Sequence, residues 1–141
     1  MRPPKRLLLL DTNFFIALRR GEPEAYRFLA RLSEEQLVTS AIVQVEYATG
    51  EFVVDPRRER SVEAMFARFA VLPFEGKAAR KAMREAAKLN LPKLPNPHKK
   101  LFDLMIAATA WAHNRTLLTE NIGDFAAFAW VKVANWRDYG R

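Results

Sequence analysis

The feature that most restricts the fold of this chain is a run of four leucines, residues 7–10, that ends at Asp11. The run does not alternate between apolar and polar side chains, so a strand over residues 6–10 would be buried on both faces. Strands of that kind belong to parallel sheets, whose neighbouring strands are joined by helical crossovers. The run therefore predicts an α/β domain, and it raises the question of why so apolar a strand ends at a carboxylate.

The rest of the chain alternates between short strands and helices. Further strands are predicted in "QLVTS", "VLPF" and "TLLT", and "WVKVANW" has the alternation of a last, edge strand. Helices are predicted in "FFIALRR" up to Gly21, from Pro23 to about Leu32, in "AIVQVEYATG" up to Gly50, over residues 56–69 and 76–90, and from about Lys99 to His113. The three prolines of "LPKLPNPHKK" predict a loop. Together these elements predict one domain over residues 1–141, a three-layer α/β/α sandwich with a central, mainly parallel sheet.

Composition excludes several classes of function. The chain has no cysteine, which rules out disulfides and thiolate metal sites, and only five glycines, none spaced for a nucleotide-binding loop. No nucleotide cofactor is therefore expected. The apolar run is too short for a signal peptide or a membrane span, so a cytoplasmic protein is expected. The net charge of +7 favours a polyanionic partner, and nucleic acid is the usual one.

Four acidic residues lie near the predicted carboxyl ends of strands, where ligands of open parallel sheets bind. Asp11 follows the first strand, Asp124 follows "TLLT" after a short turn, Glu46 lies in the helix after the second strand, and Asp103 lies in the first turn of the apolar helix. Each has a simpler explanation: a helix cap, a turn, a solvent-facing side chain and a partner for the helix dipole. Several carboxylates in one place repel, and a hard divalent cation such as Mg²⁺ or Mn²⁺ removes that repulsion. The pattern therefore favours a metal site.

Three stretches of the sequence resemble PIN domains, and specifically VapC-type toxin ribonucleases. They are "LLLLDTN", "SAIVQVEYATG" and "KLFDLMIAATAWAHNRTLLTENIGDF", which contain D-T-N, D-x-x-I-A-A-x-A and T-x-N-x-x-D-F in that order. The resemblance covers nearly the whole chain. It implies an α/β/α sandwich, an endoribonuclease dependent on Mg²⁺ or Mn²⁺, a homodimer, and an antitoxin protein whose tail occludes the acidic pocket.

The resemblance also implies roles for individual residues. Asp11, Glu46 and Asp103 match the three main acids of the family. Many relatives have an aspartate where this chain has Asn121, and the nearest acid here is Asp124, which leaves the fourth position and the number of metals open. The side chains that would position metal-bound waters are Asn13, Thr119 and Asn121, and the candidates for RNA binding are Arg19, Arg20, His98, Lys99 and Lys100.

Two other functions compete with this prediction. One is phosphotransfer on Asp11, although the D-x-D pattern of phosphatases is broken because residue 13 is asparagine. The other is a basic RNA-binding module of the same fold without catalysis. Phe14, Phe15, Trp130 and Trp136 are expected to pack in the core or at a sheet edge rather than to stack on bases.

Overall fold

The computed structural model describes residues 7–32 and 36–138, which form a five-stranded, all-parallel sheet flanked by helices. The strands are β1 (Leu8–Leu10), β2 (Leu37–Ser40), β3 (Ala70–Leu72), β4 (Thr116–Leu118) and β5 (Val133–Ala134), and their order is β3-β2-β1-β4-β5. The helices are α1 (Thr12–Arg19), α2 (Pro23–Arg31), α3 (Ala41–Val54), α4 (Glu59–Phe66), α5 (Gly76–Ala86) and α6 (Pro97–Ala112). This architecture confirms the predicted sandwich. Residue 6 of the predicted first strand lies outside the described residues.

The leucine run forms the centre of the sheet. β1 pairs with β2 on one side and with β4 on the other, and its three leucines are completely buried. The pairing continues one residue past the strand, where the Asp11 N–H donates to the Leu118 carbonyl oxygen over 3.0 Å. The end of β1 is therefore held between the ends of both neighbouring strands, and the side chain that follows it has little freedom.

Aromatic side chains fill the space between β1 and the helices around it. Phe14 contacts Phe28 and Trp136, and Phe15 contacts Phe66 and other rings, with ring centroids 4.8–5.3 Å apart. Phe14, Phe15 and Trp136 are fully buried, which confirms the predicted core role of these three residues. None of the helices in the described part of the chain is both long and apolar enough to cross a membrane.

Two of the predicted helix boundaries that were wrong affect the candidate site. α3 does not end at Gly50 but continues to Val54, where Asp55 and Pro56 end it. α6 begins at Pro97 rather than near Lys99, because the Asn96 side chain accepts a hydrogen bond from the Lys99 N–H and caps it. Asp103 is therefore the seventh residue of α6, and an interaction with the helix dipole in the first turn does not explain it.

The remaining differences are smaller. A 3₁₀ helix, Pro56–Arg58, precedes α4, and another, Leu91–Lys93, lies in the predicted proline-rich loop. α5 ends at Ala86, four residues before the predicted end. "WVKVANW" is an edge segment as predicted, but only Val133 and Ala134 pair with β4.

Candidate active site

Asp11 is delivered to the carboxyl edge of the sheet by β1. It occupies the N-cap position of α1, yet its side chain accepts no capping hydrogen bond. The side chain is only 3% exposed; its Oδ2 accepts from Asn13 Nδ2 over 3.2 Å, and its Oδ1 has no hydrogen-bond partner within the described residues. A buried carboxylate oxygen without a partner is costly. Helix capping therefore does not account for Asp11.

Burial raises the pKa of Asp11 from 3.8 to about 6. The main-chain N–H of Thr12 and the hydroxyl of Thr119 oppose the rise, the negative charge of Glu46 adds to it, and Lys99 opposes it weakly. The surroundings thus hold a carboxylate near neutral pH without enough positive charge to balance it. An additional cation beside Asp11 would remove that imbalance.

Glu46 reaches the same site from α3. Ser40 at the end of β2 fixes the start of this helix, because its Oγ accepts from the Val43 N–H over 3.0 Å. One turn and a half later, Glu46 Oε1 accepts a short hydrogen bond from the Thr12 hydroxyl at the start of α1. The Thr12 contact ties the glutamate to the residue next to Asp11.

Asp103 comes from α6 and is 2% exposed. Its Oδ1 accepts from Lys99 Nζ over 2.6 Å, across one turn of the helix. Burial raises the pKa of Asp103 in spite of this lysine, and the negative charges of Glu46 and Asp124 add to the rise. Like Asp11, Asp103 is a buried carboxylate that one neighbouring cation does not fully compensate.

Lys99 lies at the centre of these acids, and the sequence did not predict this position. Its Nζ lies 2.6 Å from Asp103 Oδ1 and 3.6 Å from Glu46 Oε2. Burial alone would lower the pKa of Lys99, but Asp103, Glu46 and Asp11 together raise it. In residues 7–32 and 36–138, no three acidic or histidine side chains lie close enough together to hold a metal ion as they stand. The acids instead surround an ammonium group.

A buried hydrogen-bond network holds Asn13 beside Asp11. The Asn13 Nδ2 donates to Thr119 Oγ1 over 2.7 Å, and its Oδ1 accepts from the Glu120 N–H at 3.1 Å and the Trp136 indole N–H at 2.9 Å. Because its oxygen accepts two N–H groups, the amide has one orientation, with its NH₂ towards Asp11. The contribution of Trp136 could not have been predicted, because 123 residues separate it from Asn13.

The structure separates the two candidates for the fourth position. Asn121 lines the cleft, and its N–H donates to Thr119 Oγ1 over 3.1 Å. Asp124 is exposed in the 3₁₀ helix Ile122–Phe125, and it is not among the residues that line the cleft. Asp103 does not line the cleft either, and it reaches the site through Lys99, which does. The charge of Asp124 nevertheless reaches Asp103, and Lys100 Nζ donates to the Asp124 carbonyl oxygen.

The cleft above these side chains has a volume of about 460 Å³. Its lining includes Asp11, Asn13, Glu46, Lys99 and Asn121, together with Arg19, Tyr47, Gly50 and Glu51. Of the predicted RNA-binding residues, Arg19 and Lys99 line the cleft, whereas Arg20 and His98 are exposed and lie outside its lining. Glu51 was missed because α3 was expected to end before it.

The sequence matches the PIN domain family over residues 8–131. The chain is 26% identical over 133 residues to the tRNA(fMet)-specific endonuclease VapC of Salmonella typhimurium, an alignment that covers 91% of this chain and 96% of that protein.

Two solved structures show the same fold. The chain is similar to a chain of VapBC2 from Rickettsia felis bound to a promoter DNA fragment, with a TM-score of 0.75 and 25% identity. It is also similar to a chain of VapBC-1 from nontypeable Haemophilus influenzae, with a TM-score of 0.73 and 27% identity. Each alignment covers 92% of this chain and 98% of the other. The chain thus belongs to the PIN domain family and, as its sequence motifs indicated, is similar to the VapC-type members of that family.

Proposed function

We propose that this protein is a divalent-metal-dependent endoribonuclease and the toxin of a type II toxin–antitoxin pair. The observation that carries the proposal is the unpartnered, buried Oδ1 of Asp11 beside two further acids, Glu46 and Asp103. Oxygen ligands of this kind suit Mg²⁺ and Mn²⁺. The similarity to an endonuclease named VapC supports the same activity.

Asp11, Glu46 and Asp103 are the residues we assign to the metal, with Asp124 as a more distant acid. A bound Mg²⁺ or Mn²⁺ supplies Lewis acidity, which activates water at neutral pH and neutralises charge on a phosphodiester. The chain's own residues hold the site in place. β1 fixes Asp11, and the Thr12 hydroxyl fixes Glu46. The hydrogen bond between Asn13 and Thr119 fixes the polar side chains beside Asp11. Asn13, Thr119 and Asn121 are the side chains we assign to the positioning of water.

Lys99 acts in this proposal as the counter-ion of the metal-free site. Its ammonium compensates Asp103 and, more weakly, Glu46, so the acids remain together without a metal. A divalent cation would compete with Lys99 for these two carboxylates, since both cations gain from the same negative charge. The sequence predicts that Lys99 binds RNA; we assign it to the acidic site because its Nζ lies 2.6 Å from Asp103 Oδ1.

RNA is the substrate class that we assign, with transfer RNA as the first candidate because the Salmonella relative is named for tRNA(fMet). The net charge of +7 supports a polyanionic substrate. Phosphotransfer on Asp11 is not supported, because the chain belongs to the PIN domain family rather than to a phosphotransfer family. A module that binds RNA without cutting it is separated from the nuclease by the experiment below.

We further propose that the partner is an antitoxin protein, because the chain is 27% identical to a chain of a toxin–antitoxin complex from Klebsiella pneumoniae. A homodimer in the cytoplasm completes the proposal. Co-expression with the product of a neighbouring antitoxin reading frame should yield a complex and relieve growth arrest by this chain. Growth arrest that persists beside a bound antitoxin would contradict the proposal.

The direct test is cleavage of transfer RNA by the purified protein. We expect cutting with Mg²⁺ or Mn²⁺ and none with EDTA, and no cutting by Asp11→Asn under either condition. The variant is a suitable control because it keeps the shape of the side chain and controls for contaminating ribonucleases. Cleavage in EDTA by the unaltered protein but not by Asp11→Asn would contradict the metal mechanism.

A further inference from the structure

A second pocket, of about 490 Å³, lies beside the acidic cleft and is lined by Arg19, Arg20, Glu51, Arg58 and Ser61. Arg19 and Glu51 line both the pocket and the cleft, so the two are continuous. The pocket is basic although the cleft is acidic. Three arginines contribute three positive charges and Glu51 one negative charge, which leaves two positive charges uncompensated.

Glu51 holds two of these arginines in place. It is 6% exposed; its Oε1 contacts Arg19 Nη1 over 2.6 Å, and its Oε2 accepts from Arg58 Nη1 over 2.9 Å. The two guanidinium groups come from the end of α1 and from the 3₁₀ helix before α4, and the carboxylate from α3 joins them. One carboxylate thus fixes the separation of two cations.

The two guanidinium groups remain open to a ligand. Glu51 engages Nη1 of each group, and 34% of the Arg19 side chain and 35% of the Arg58 side chain are exposed. A guanidinium has five N–H donors in a planar fork that matches the oxygens of a phosphate. Holding both forks in advance reduces the side-chain entropy that binding would otherwise cost.

We propose that Arg19 and Arg58, positioned by Glu51, bind a backbone phosphate of single-stranded RNA next to the one that is cut. The inference deepens the proposed function and depends on it for the identity of the substrate. The acidic cleft repels the RNA backbone, so affinity has to come from cations at its edge. Because the pocket shares Arg19 and Glu51 with the cleft, a phosphate held there would place the adjoining phosphodiester in the cleft that Asp11 and Glu46 line.

The test measures binding of a fluorescently labelled, short single-stranded RNA to the full chain in EDTA, so that nothing is cut. Arg58→Gln should raise Kd about tenfold, because it removes a bidentate phosphate contact together with its charge. The matched control is Arg57→Gln, which removes the same charge one residue away. The Arg57 side chain is 91% exposed, and its Nε contacts Asp55 over 3.1 Å. The control should change Kd less than about twofold.

Arg19→Gln provides a second variant on a different element, which keeps the test decisive if Arg58→Gln folds poorly. Both variants should raise KM for metal-dependent cleavage more than they lower kcat. The double variant should lose much less than the product of the two single losses, because both side chains bind one phosphate.

The outcomes separate this inference from the proposed function. Equal weakening by Arg57→Gln and Arg58→Gln would overturn the phosphate site even if the unaltered protein cuts RNA. Selective weakening by Arg58→Gln and Arg19→Gln without any metal-dependent cleavage would support the phosphate site and overturn the nuclease. Failure of the unaltered protein to bind the RNA would overturn the phosphate site. The cleavage assay would then test the proposed nuclease activity independently.

Discussion

In the part of the chain that the structure describes, we compare two clusters that each have three carboxylates near one basic side chain. The two clusters differ in how well that side chain satisfies the carboxylates. In the cleft, Lys99 Nζ is 2.6 Å from Asp103 and 3.6 Å from Glu46, and Asp11 keeps an unpartnered oxygen. In the other cluster, Arg137 donates to Glu120 and Glu24 over 2.7 Å and to Glu22 over 3.2 Å.

The difference follows from the two cations. The guanidinium of Arg137 presents donors in three directions and meets all three glutamates, which raises the pKa of Arg137 above its ordinary value. The ammonium of Lys99 is a compact charge that approaches one carboxylate closely. All three carboxylates at Arg137 accept a hydrogen bond and are 28–37% exposed, so water screens the negative charge that the arginine does not balance. The arginine cluster is therefore saturated in hydrogen bonds and structural, whereas Asp11 and Asp103 are buried and keep negative charge that neither Lys99 nor water balances.

The largest effect is expected when an acid of the unsaturated cluster is removed. Asp103→Asn should lower metal-dependent cleavage at least about 100-fold, because even the outer partners of metal ligands are worth 10–100-fold. The gain in melting temperature on adding Mg²⁺ should largely disappear. In EDTA the variant should be as stable as the unaltered protein or more so, since the folded state raises the pKa of Asp103 and thus disfavours its charged form.

Enzyme assays and thermal melts with and without Mg²⁺ measure these effects. The same substitution at an exposed acid outside both clusters, Glu63→Gln, should change none of them. An Asp103→Asn variant that is less stable in EDTA yet fully active and fully responsive to Mg²⁺ would remove Asp103 from the site.

Replacing Lys99 by arginine should make the cluster in the cleft resemble the saturated cluster around Arg137. Lys99→Arg gives the cleft a fork that can meet Asp103 and Glu46 together, so Mn²⁺ binding should weaken about tenfold. Lys99→Met removes the competing charge and should strengthen Mn²⁺ binding. Calorimetric titration without RNA measures both. Weaker binding by Lys99→Met would show that Lys99 organises the acids for the metal rather than competing with it.

The unbalanced charge of Asp11 should appear as a dependence of stability on pH in EDTA. Because the folded pKa is about 6 and the ordinary value is 3.8, the folded protein takes up a proton first as the pH falls. The free energy of unfolding should therefore rise by about 1 kcal/mol from this group between pH 7.5 and pH 5. Asp11→Asn should remove that part of the rise.

Urea unfolding of both proteins at the two pH values tests this expectation. Asp103 contributes a pH dependence of the same sign, and it is present in both proteins, so the comparison isolates Asp11. Identical pH dependence in the two proteins would mean that Asp11 is balanced in the folded state.

The smallest effect is expected at the saturated cluster. Arg137→Lys replaces the fork by a point charge, and we expect a loss of about 0.5–1 kcal/mol in urea unfolding, since the partly exposed pairs are screened by solvent. The response to Mg²⁺ should not change. Arg60→Lys at an exposed position is the matched control. A variant of Arg137 that loses the Mg²⁺ response would contradict the separation of the two clusters.

The sequence predicts the site residues whose positions are determined by the ends of strands. The leucine run requires a central parallel strand, and that strand places Asp11 at the carboxyl edge of the sheet, as the structure shows. Glu46 and Asp103 follow from motif order once a helix is expected over each. These predictions succeed because local pattern and global fold agree at these positions.

The rest depends on contacts that local pattern does not contain. The direction of the Lys99 side chain depends on the packing of α6 against its neighbours, so its place among the acids was not predictable. Glu51 was not predicted, because Gly50 predicts the end of α3. The helix in fact continues through Gly50, which lines the cleft. The hydrogen bond between Trp136 and Asn13 joins the two ends of the described chain, and no local sequence pattern predicts it.

The long-range bond between Trp136 and Asn13 also has a consequence for when the protein becomes active. Asp11 is synthesised early, but the Leu118 carbonyl oxygen that accepts its N–H and the indole that fixes Asn13 are made only after more than a hundred further residues. Chains fold as their parts emerge, and contacts of high sequence separation form last. The cleft therefore assembles only after Trp136 has been made, and a growing chain that has not reached this residue has no completed site with which to cut RNA.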